Sequence, residues 1–206
     1  KQVLILFVFL WGASVQVLSQ SPEHLPLFRT QHEQERLLTN GVMPPVAGGI
    51  TQPPPGPVRM MAEWEEVGVL AVTWHKDVHT EVLSEIIRHA RTQCTVLVHC
   101  MNAAGIENAK TELLRRGIDT SSNVLFTEAR SNSIWIRDYG ANAVYLNEVD
   151  SLVLTDWIYN RLRPLDDTLA LKTARILGRP LYVTTLPPYQ LTNTVGNVLT
   201  ACMGTA

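Results

Sequence analysis

From Arg59 onward, hydrophobic and polar positions alternate in the way that is typical of an α/β domain. Short apolar runs predict buried strands at Val67–Trp74, Cys94–Cys100, Val124–Thr127, Asn142–Leu146, Leu152–Trp157 and Leu181–Thr185. Because residues 124–157 are nearly all strand, we expect an architecture that differs from a simple doubly wound sheet.

Helices are predicted between these strands, where apolar residues recur at helical spacing and capping residues mark the ends. No Gly-rich phosphate-binding motif follows any strand, so nothing favours a nucleotide-binding fold. The predicted helices are Asp77–Arg91, a helix from a cap at Asn102 to Arg116 before Gly117, and a helix from Asp166 or Asp167 to Gly178.

The first 19 residues form an apolar run whose one charge is at Lys1. The run is short for a transmembrane helix, and small residues at Val17 and Ser19 fit a cleavage site before Gln20. The pattern therefore predicts a secretory signal peptide at residues 1–19, with an uncleaved anchor as the alternative. We expect a bacterial protein that is secreted, periplasmic or on the cell surface, with no membrane span after cleavage.

Residues 20–58 hold eight of the twelve prolines, and no charged residue lies between Arg36 and Arg59. Proline removes a backbone donor and favours extended conformations. We therefore expect an extended, poorly packed Pro-rich linker, with a proline-recognition ligand as the alternative. The α/β domain would follow at residues 59–206.

Composition excludes several classes of protein. The formal net charge is −2, which argues against the basic surface that nucleic-acid binding requires. Three cysteines without a CxxC pair are too few for a disulfide scaffold and indicate no zinc site.

Candidate chemistry concentrates between residues 131 and 167. The run Ser133-Ile-Trp-Ile-Arg-Asp-Tyr-Gly140 places Trp135 and Asp138 three residues apart at a predicted turn. A carboxylate can bind a guanidinium through two parallel hydrogen bonds, and an indole can lie over that planar cation. Further on, Arg161 and Arg163 (the arginine pair) would point to the same side of an extended segment and could hold a carboxylate.

Three motifs in this order resemble bacterial peptidylarginine deiminases and agmatine deiminases. They are MAEWEEVGVLAVTW, IWIRDYG and WIYNRLRPLDD, and the resemblance covers about residues 58–206. It implies a pseudo-fivefold α/β propeller of ββαβ modules, of which this chain would hold about two. It also implies hydrolysis of a guanidinium to a ureido group and ammonia, without a metal or organic cofactor.

The resemblance assigns roles residue by residue. Asp138 matches the aspartate that binds the substrate guanidinium, and Trp135 the tryptophan beside it. The arginine pair matches residues that bind the carboxylate of a C-terminal arginine, which agmatine lacks. We therefore expect an arginine-containing peptide or protein substrate, with agmatine as the alternative. Without the resemblance, Trp135 and Asp138 could be packing and turn residues, and the arginine pair could be solvated or bonded to Asp166 and Asp167.

The nucleophilic cysteine, the histidine and the second aspartate of an H-x-D element have no match here, since His99 is the last histidine. We therefore expect an N-terminal fragment that is inactive by itself, or a non-catalytic arginine-binding or decayed homologue. Val195, Ala201 and Cys202 depart from the family pattern, and Cys202 lacks the surroundings of a nucleophile.

Overall fold

The structure is a computed structural model that describes residues 25–41, 48–147, 151–194, 196 and 198. The predicted signal peptide and Cys202 lie outside the described residues. The helices of the described part are α1 (Gln31–Asn40), α2 (Thr80–Ala90), α3 (Ala103–Arg115), α4 (Ile136–Tyr139) and α5 (Leu169–Leu177). Its strands are β1 (Val58–Met60), β2 (Val69–Trp74), β3 (Thr95–Cys100), β4 (Val124–Glu128), β5 (Asn142–Leu146), β6 (Ser151–Asp156), β7 (Ile158–Tyr159), β8 (Leu181–Val183) and β9 (Thr192–Asn193).

The first sheet is parallel, with the strand order β2-β3-β4. Its central strand has three consecutive apolar residues, Val96–Val98, that are fully buried. The helices α2 and α3 make the connections between its strands and contribute Ile87 and Leu113 to the same core. Strands buried on both faces read as continuous apolar runs, which is why the sequence pattern located them.

The second sheet is mixed, with the order β1-β5-β6-β8. An antiparallel hairpin joins β5 to β6, β1 adds antiparallel to β5, and β8 adds parallel to β6 after α5. The helix α5 ends at Gly178, whose positive φ of 61° gives a left-handed cap that a Cβ would disfavour. The short strands β7 and β9 form a separate parallel pair.

The predicted α/β class and the predicted helices and strands are confirmed. Their ends move by at most three residues: α2 starts at Thr80 rather than Asp77, and α5 starts at Leu169 rather than Asp166 or Asp167. The expectation that the chain is more than a simple doubly wound sheet also holds, since β5 and β6 form a hairpin in a mixed sheet. No helix within the described ranges is long and apolar enough to cross a membrane.

Two local expectations are wrong. The stretch from residue 20 to residue 58 is not extended throughout, because Thr30 and Glu33 cap each other reciprocally and start α1. The arginine pair does not lie on a strand: β7 ends at Tyr159, and the chain bends from Asn160 to Leu162. The bend lets the two guanidiniums reach different partners.

Candidate functional site

The short helix α4 carries Asp138, and Trp135 stands at its N-cap position. Tyr139, the last residue of α4, is buried and donates a hydrogen bond of 2.6 Å from its hydroxyl to the carbonyl of Ser133. Its ring also packs edge-on against Tyr159, with 5.7 Å between the ring centroids. These contacts fix the turn that orients Asp138.

The loop before α4 is held by the buried carboxylate of Asp166. This carboxylate accepts hydrogen bonds from the backbone N–H groups of Asn132 and Ser133, and from the Ser133 hydroxyl at 2.8 Å. Burial raises the pKa of Asp166 to about 6, and the hydrogen bonds from Ser133 and Asn132 offset part of that rise. Asp167 accepts a hydrogen bond from the Tyr159 N–H. Asp166 is thus hydrogen-bonded to the loop before α4, and Asp167 to β7.

Asp138 itself is half-buried between the arginine pair and the last described residues. Burial raises its pKa, and the positive charge of Arg161, followed by smaller contributions that include Arg163, offsets part of the rise. The Thr194 hydroxyl lies 3.4 Å from the Asp138 carbonyl oxygen, and the Gly196 backbone lies directly against the carboxylate. The site therefore combines a partly desolvated carboxylate with two nearby cations.

The two members of the arginine pair differ in their surroundings. Arg161 is half-buried, and its Nε is buried without a hydrogen-bond partner among the described residues. Arg163 is fully buried and binds Glu33 through Nε at 2.7 Å and Nη2 at 3.2 Å. Its Nη1 is buried and has no partner in the described part of the chain. Each guanidinium thus has one buried nitrogen that makes no hydrogen bond within the described part of the chain.

Residues 25–33, which we call the N-terminal segment, border this site. The Leu25 carbonyl accepts a hydrogen bond of 3.2 Å from the Trp135 indole N–H, and the Leu25 N–H donates to the Asn132 carbonyl at 3.0 Å. Arg29 donates to the Asn160 carbonyl at 2.9 Å. The segment therefore contacts both the loop that carries Trp135 and the bend that carries the arginine pair.

The structure brings the four predicted residues into one neighbourhood: Trp135 and Asp138 share a turn, and the arginine pair interacts electrostatically with Asp138. The sequence analysis missed Glu33 as a neighbour of these residues. A signal for Glu33 existed, since Thr30 and Glu33 have capping-box spacing, but the prolines around them favoured a linker.

A wide cleft of about 1110 Å³ opens beside the site, between the two main sheets. Trp135 and Arg137 line one end of it, while Asp138 and the arginine pair do not line it. Arg137 crosses its edge to bind Glu63 at 2.7 Å. The apolar floor is formed by residues of β2, β5, β6 and α2.

Comparison with known proteins shows two kinds of similarity. The family model of the Porphyromonas-type peptidyl-arginine deiminases matches residues 59–183. In fold, the chain is similar to C. jejuni agmatine deiminase, with a TM-score of 0.52 and 21% identity over 68% of this chain. A Cys-to-Ser variant of that enzyme with substrate bound gives a TM-score of 0.50 and 22% identity over 61% of this chain. The chain spans only 41% and 39% of the lengths of those two structures.

Proposed function

Because this chain belongs to the family of Porphyromonas-type peptidyl-arginine deiminases, we propose that the protein hydrolyses the guanidinium of arginine in peptides or proteins. One water adds to the guanidinium carbon, ammonia leaves, and the side chain becomes the ureido group of citrulline. One observation carries the proposal: the Asp138 carboxylate and the arginine pair interact in a single site. Such a site suits a ligand that carries both a cation and an anion.

In this proposal, Asp138 accepts two parallel hydrogen bonds from the substrate guanidinium, and Trp135 lies beside that planar cation. The partial burial of Asp138 strengthens the interaction, because fewer water molecules compete for its oxygens. In the same proposal, the arginine pair binds the carboxylate of a C-terminal arginine. Two of its buried nitrogens, Nε of Arg161 and Nη1 of Arg163, have no hydrogen-bond partner in the described part. Agmatine has no carboxylate, so the arginine pair supports the peptidyl substrate.

The attacking group is proposed to come from outside the described residues. Within them, Cys100 is buried, and burial raises the pKa of its thiol to about 12, so that little thiolate forms near neutral pH. We assign the nucleophile and the proton shuttle to the part of the relatives' length that this chain does not span. The same extension would complete the proposed propeller, of which the two main sheets would be the first modules.

We further propose that residues 1–19 direct secretion and are removed before Gln20. The short apolar run and the small residues before the cut support this proposal. Sequencing of the N-terminus of the protein exported by its native host tests it, and a mature chain that retains Lys1 would contradict it.

The function is tested on the full-length protein with three substrates: a peptide that ends in a free arginine carboxylate, the same peptide amidated, and agmatine. Formation of the ureido group and of ammonia is measured for each. We expect Asp138→Asn to lower activity on all arginine substrates by about 100-fold or more. We expect Arg161→Ala to raise KM for the free carboxylate about tenfold and to change the amide little. Arg115→Ala, at an exposed residue of α3, is the matched control.

Three other results would each contradict a part of the proposed function. Equal losses on the free and amidated peptides after Arg161→Ala would remove the carboxylate role of the arginine pair. Turnover of agmatine alone would replace the proposal with the agmatine deiminase function. Arginine binding without turnover would indicate a non-catalytic homologue.

A further inference from the structure

We propose that Glu33 is a positioning residue for substrate binding, and that the N-terminal segment forms one wall of the proposed arginine site. This inference rests on the proposed function. Glu33 lies outside residues 59–183, the part of the chain that the family model matches. It reaches the site because α1 packs against the bend after β7.

The Glu33–Arg163 contact is a buried, two-point ion pair. Glu33 is 5% exposed and Arg163 is 0% exposed. Oε1 of Glu33 accepts from Nε of Arg163 at 2.7 Å, and Oε2 accepts from Nη2 at 3.2 Å. Planar two-point pairing fixes the orientation of a guanidinium as well as its position.

Glu33 is held from its other side by the start of its own helix. Its Oε2 accepts a hydrogen bond from the Thr30 N–H at 2.8 Å, and the Glu33 N–H donates to the Thr30 hydroxyl. Burial alone would raise the pKa of Glu33, but the hydrogen bonds from Arg163 and Thr30 outweigh it and lower the pKa. The carboxylate therefore stays ionised and rigidly placed near neutral pH.

The other two nitrogens of the Arg163 guanidinium, Nη2 and Nη1, differ in their hydrogen bonds. Nη2 also donates to the carbonyls of Pro26 at 2.7 Å and Phe28 at 3.3 Å, so its hydrogens are used by the N-terminal segment. Only Nη1 is buried without a hydrogen-bond partner among the described residues, as is Nε of Arg161. A substrate carboxylate bound here would take only Nη1 from Arg163, because Glu33 and the two carbonyls use the Nε–Nη2 side of that guanidinium.

Two interpretations of this contact predict opposite effects on substrate binding when Glu33 is replaced. If Glu33 positions Arg163, its loss weakens binding of a carboxylate. If Glu33 instead competes with the substrate for Arg163, its loss strengthens that binding. The geometry favours positioning, because the Glu33 and carbonyl contacts leave the hydrogen-bonding capacity of the buried Nη1 unused.

The test compares Glu33→Gln with Glu35→Gln in the full-length protein. Glu35 lies on the same helix and is exposed, and its carboxylate accepts a hydrogen bond from the Gln31 side chain. KM and kcat are measured for the peptide with a free C-terminal arginine and for its amide. We expect Glu33→Gln to raise KM for the free carboxylate about tenfold, to leave kcat unchanged, and to change the amide less than about twofold. Glu35→Gln should match the unmodified protein, and Glu33→Asp should restore part of the loss.

A double-variant cycle separates positioning from folding. In an Arg163→Lys background, which removes the planar fork, Glu33→Gln should have no further effect on the ratio of the two substrates. A lower KM for the free carboxylate, equal losses on both substrates, or full additivity in the cycle would each overturn the inference while leaving the proposed function intact. Absence of activity on every arginine substrate would overturn the proposed function, and this inference with it.

Discussion

At the scale of single residues, Gly196 sets the space beside the Asp138 carboxylate. A Cβ at Gly196 would collide with Oδ1 of Asp138, and the same addition at Gly68 would meet no atom within 4 Å. The lack of a side chain at residue 196 is therefore a direct requirement for the observed position of the carboxylate.

Gly196→Ala should displace the Asp138 carboxylate and lower kcat/KM about 10- to 100-fold, because small misplacements of a binding group are costly. Gly68→Ala is the matched control and should keep full activity. Steady-state kinetics on arginine peptides, together with urea unfolding, measure both effects. A Gly196→Ala protein with unchanged kcat/KM would show that this contact is not maintained during binding.

Asp156, at the end of β6, predicts a pH dependence of stability. Burial raises its pKa to about 7, and the nearby charge of Asp167 adds to the rise, while the Trp157 N–H opposes it. When the pKa of a carboxyl is higher in the folded state than in the unfolded state, protonation favours folding. The folded state is then favoured most at pH values below the pKa of the unfolded state. That contribution is lost as the pH rises toward 7. We therefore expect the free energy of unfolding to fall by at least about 1 kcal/mol between pH 4 and pH 8.

Asp156→Asn should remove this part of the pH dependence, because an amide does not titrate. The fold should be kept, since the amide oxygen can still accept the hydrogen bond from the Trp157 N–H. Urea unfolding of the full-length protein at several pH values measures it. Glu107→Gln, on the exposed face of α3, serves as the control and should keep the slope. An unchanged slope in Asp156→Asn would mean that Asp156 does not titrate in this range.

At the scale of elements, the helices and strands with strong periodicity were predictable, and the packing of α1 was not. The local pattern of apolar residues located both β3 and α2. A wholly buried strand such as β3 has a continuous apolar run, and a helix with one buried face such as α2 has apolar residues at helical spacing. The start of α1 was also written locally, as the capping box of Thr30 and Glu33. Its contact with Arg163 depends on residues 130 positions away, which no local pattern contains.

In the candidate site, too, only part of the arrangement could be predicted from the sequence. Trp135 and Asp138 were predictable because their chemistry lies within one short motif. The bend at the arginine pair was not, because the alternation of side chains that would make both guanidiniums equivalent applies only to a strand. The bend leaves one guanidinium bound to Glu33 and the other half-buried near Asp138.

At the scale of the whole molecule, the cleft between the two main sheets is lined mainly by apolar residues. Val69 on β2 and Val82 and Ile86 on α2 are 36%, 58% and 40% exposed and line it. Contiguous apolar surface of this kind favours association with another surface.

Residues 20–206 expressed alone should therefore bind an apolar dye and self-associate as concentration rises. Replacing both Val82 and Ile86 with Lys should reduce the association. Leu114→Lys, at a residue that is 74% exposed on α3 and outside the cleft, should not. Sedimentation velocity and dye fluorescence measure this. A monomer with a cooperative melt at all concentrations would contradict the prediction.

The Glu33–Arg163 contact also sets an order of events during synthesis. Glu33 leaves the ribosome 130 residues before its partner. At roughly 5–20 residues per second, that interval lasts roughly 7–26 seconds. During this time α1 has no Arg163 to dock on, and its carboxylate remains hydrated. Protease protection of α1 in a series of stalled nascent chains would therefore report the chain length at which Arg163 emerges and α1 docks on it.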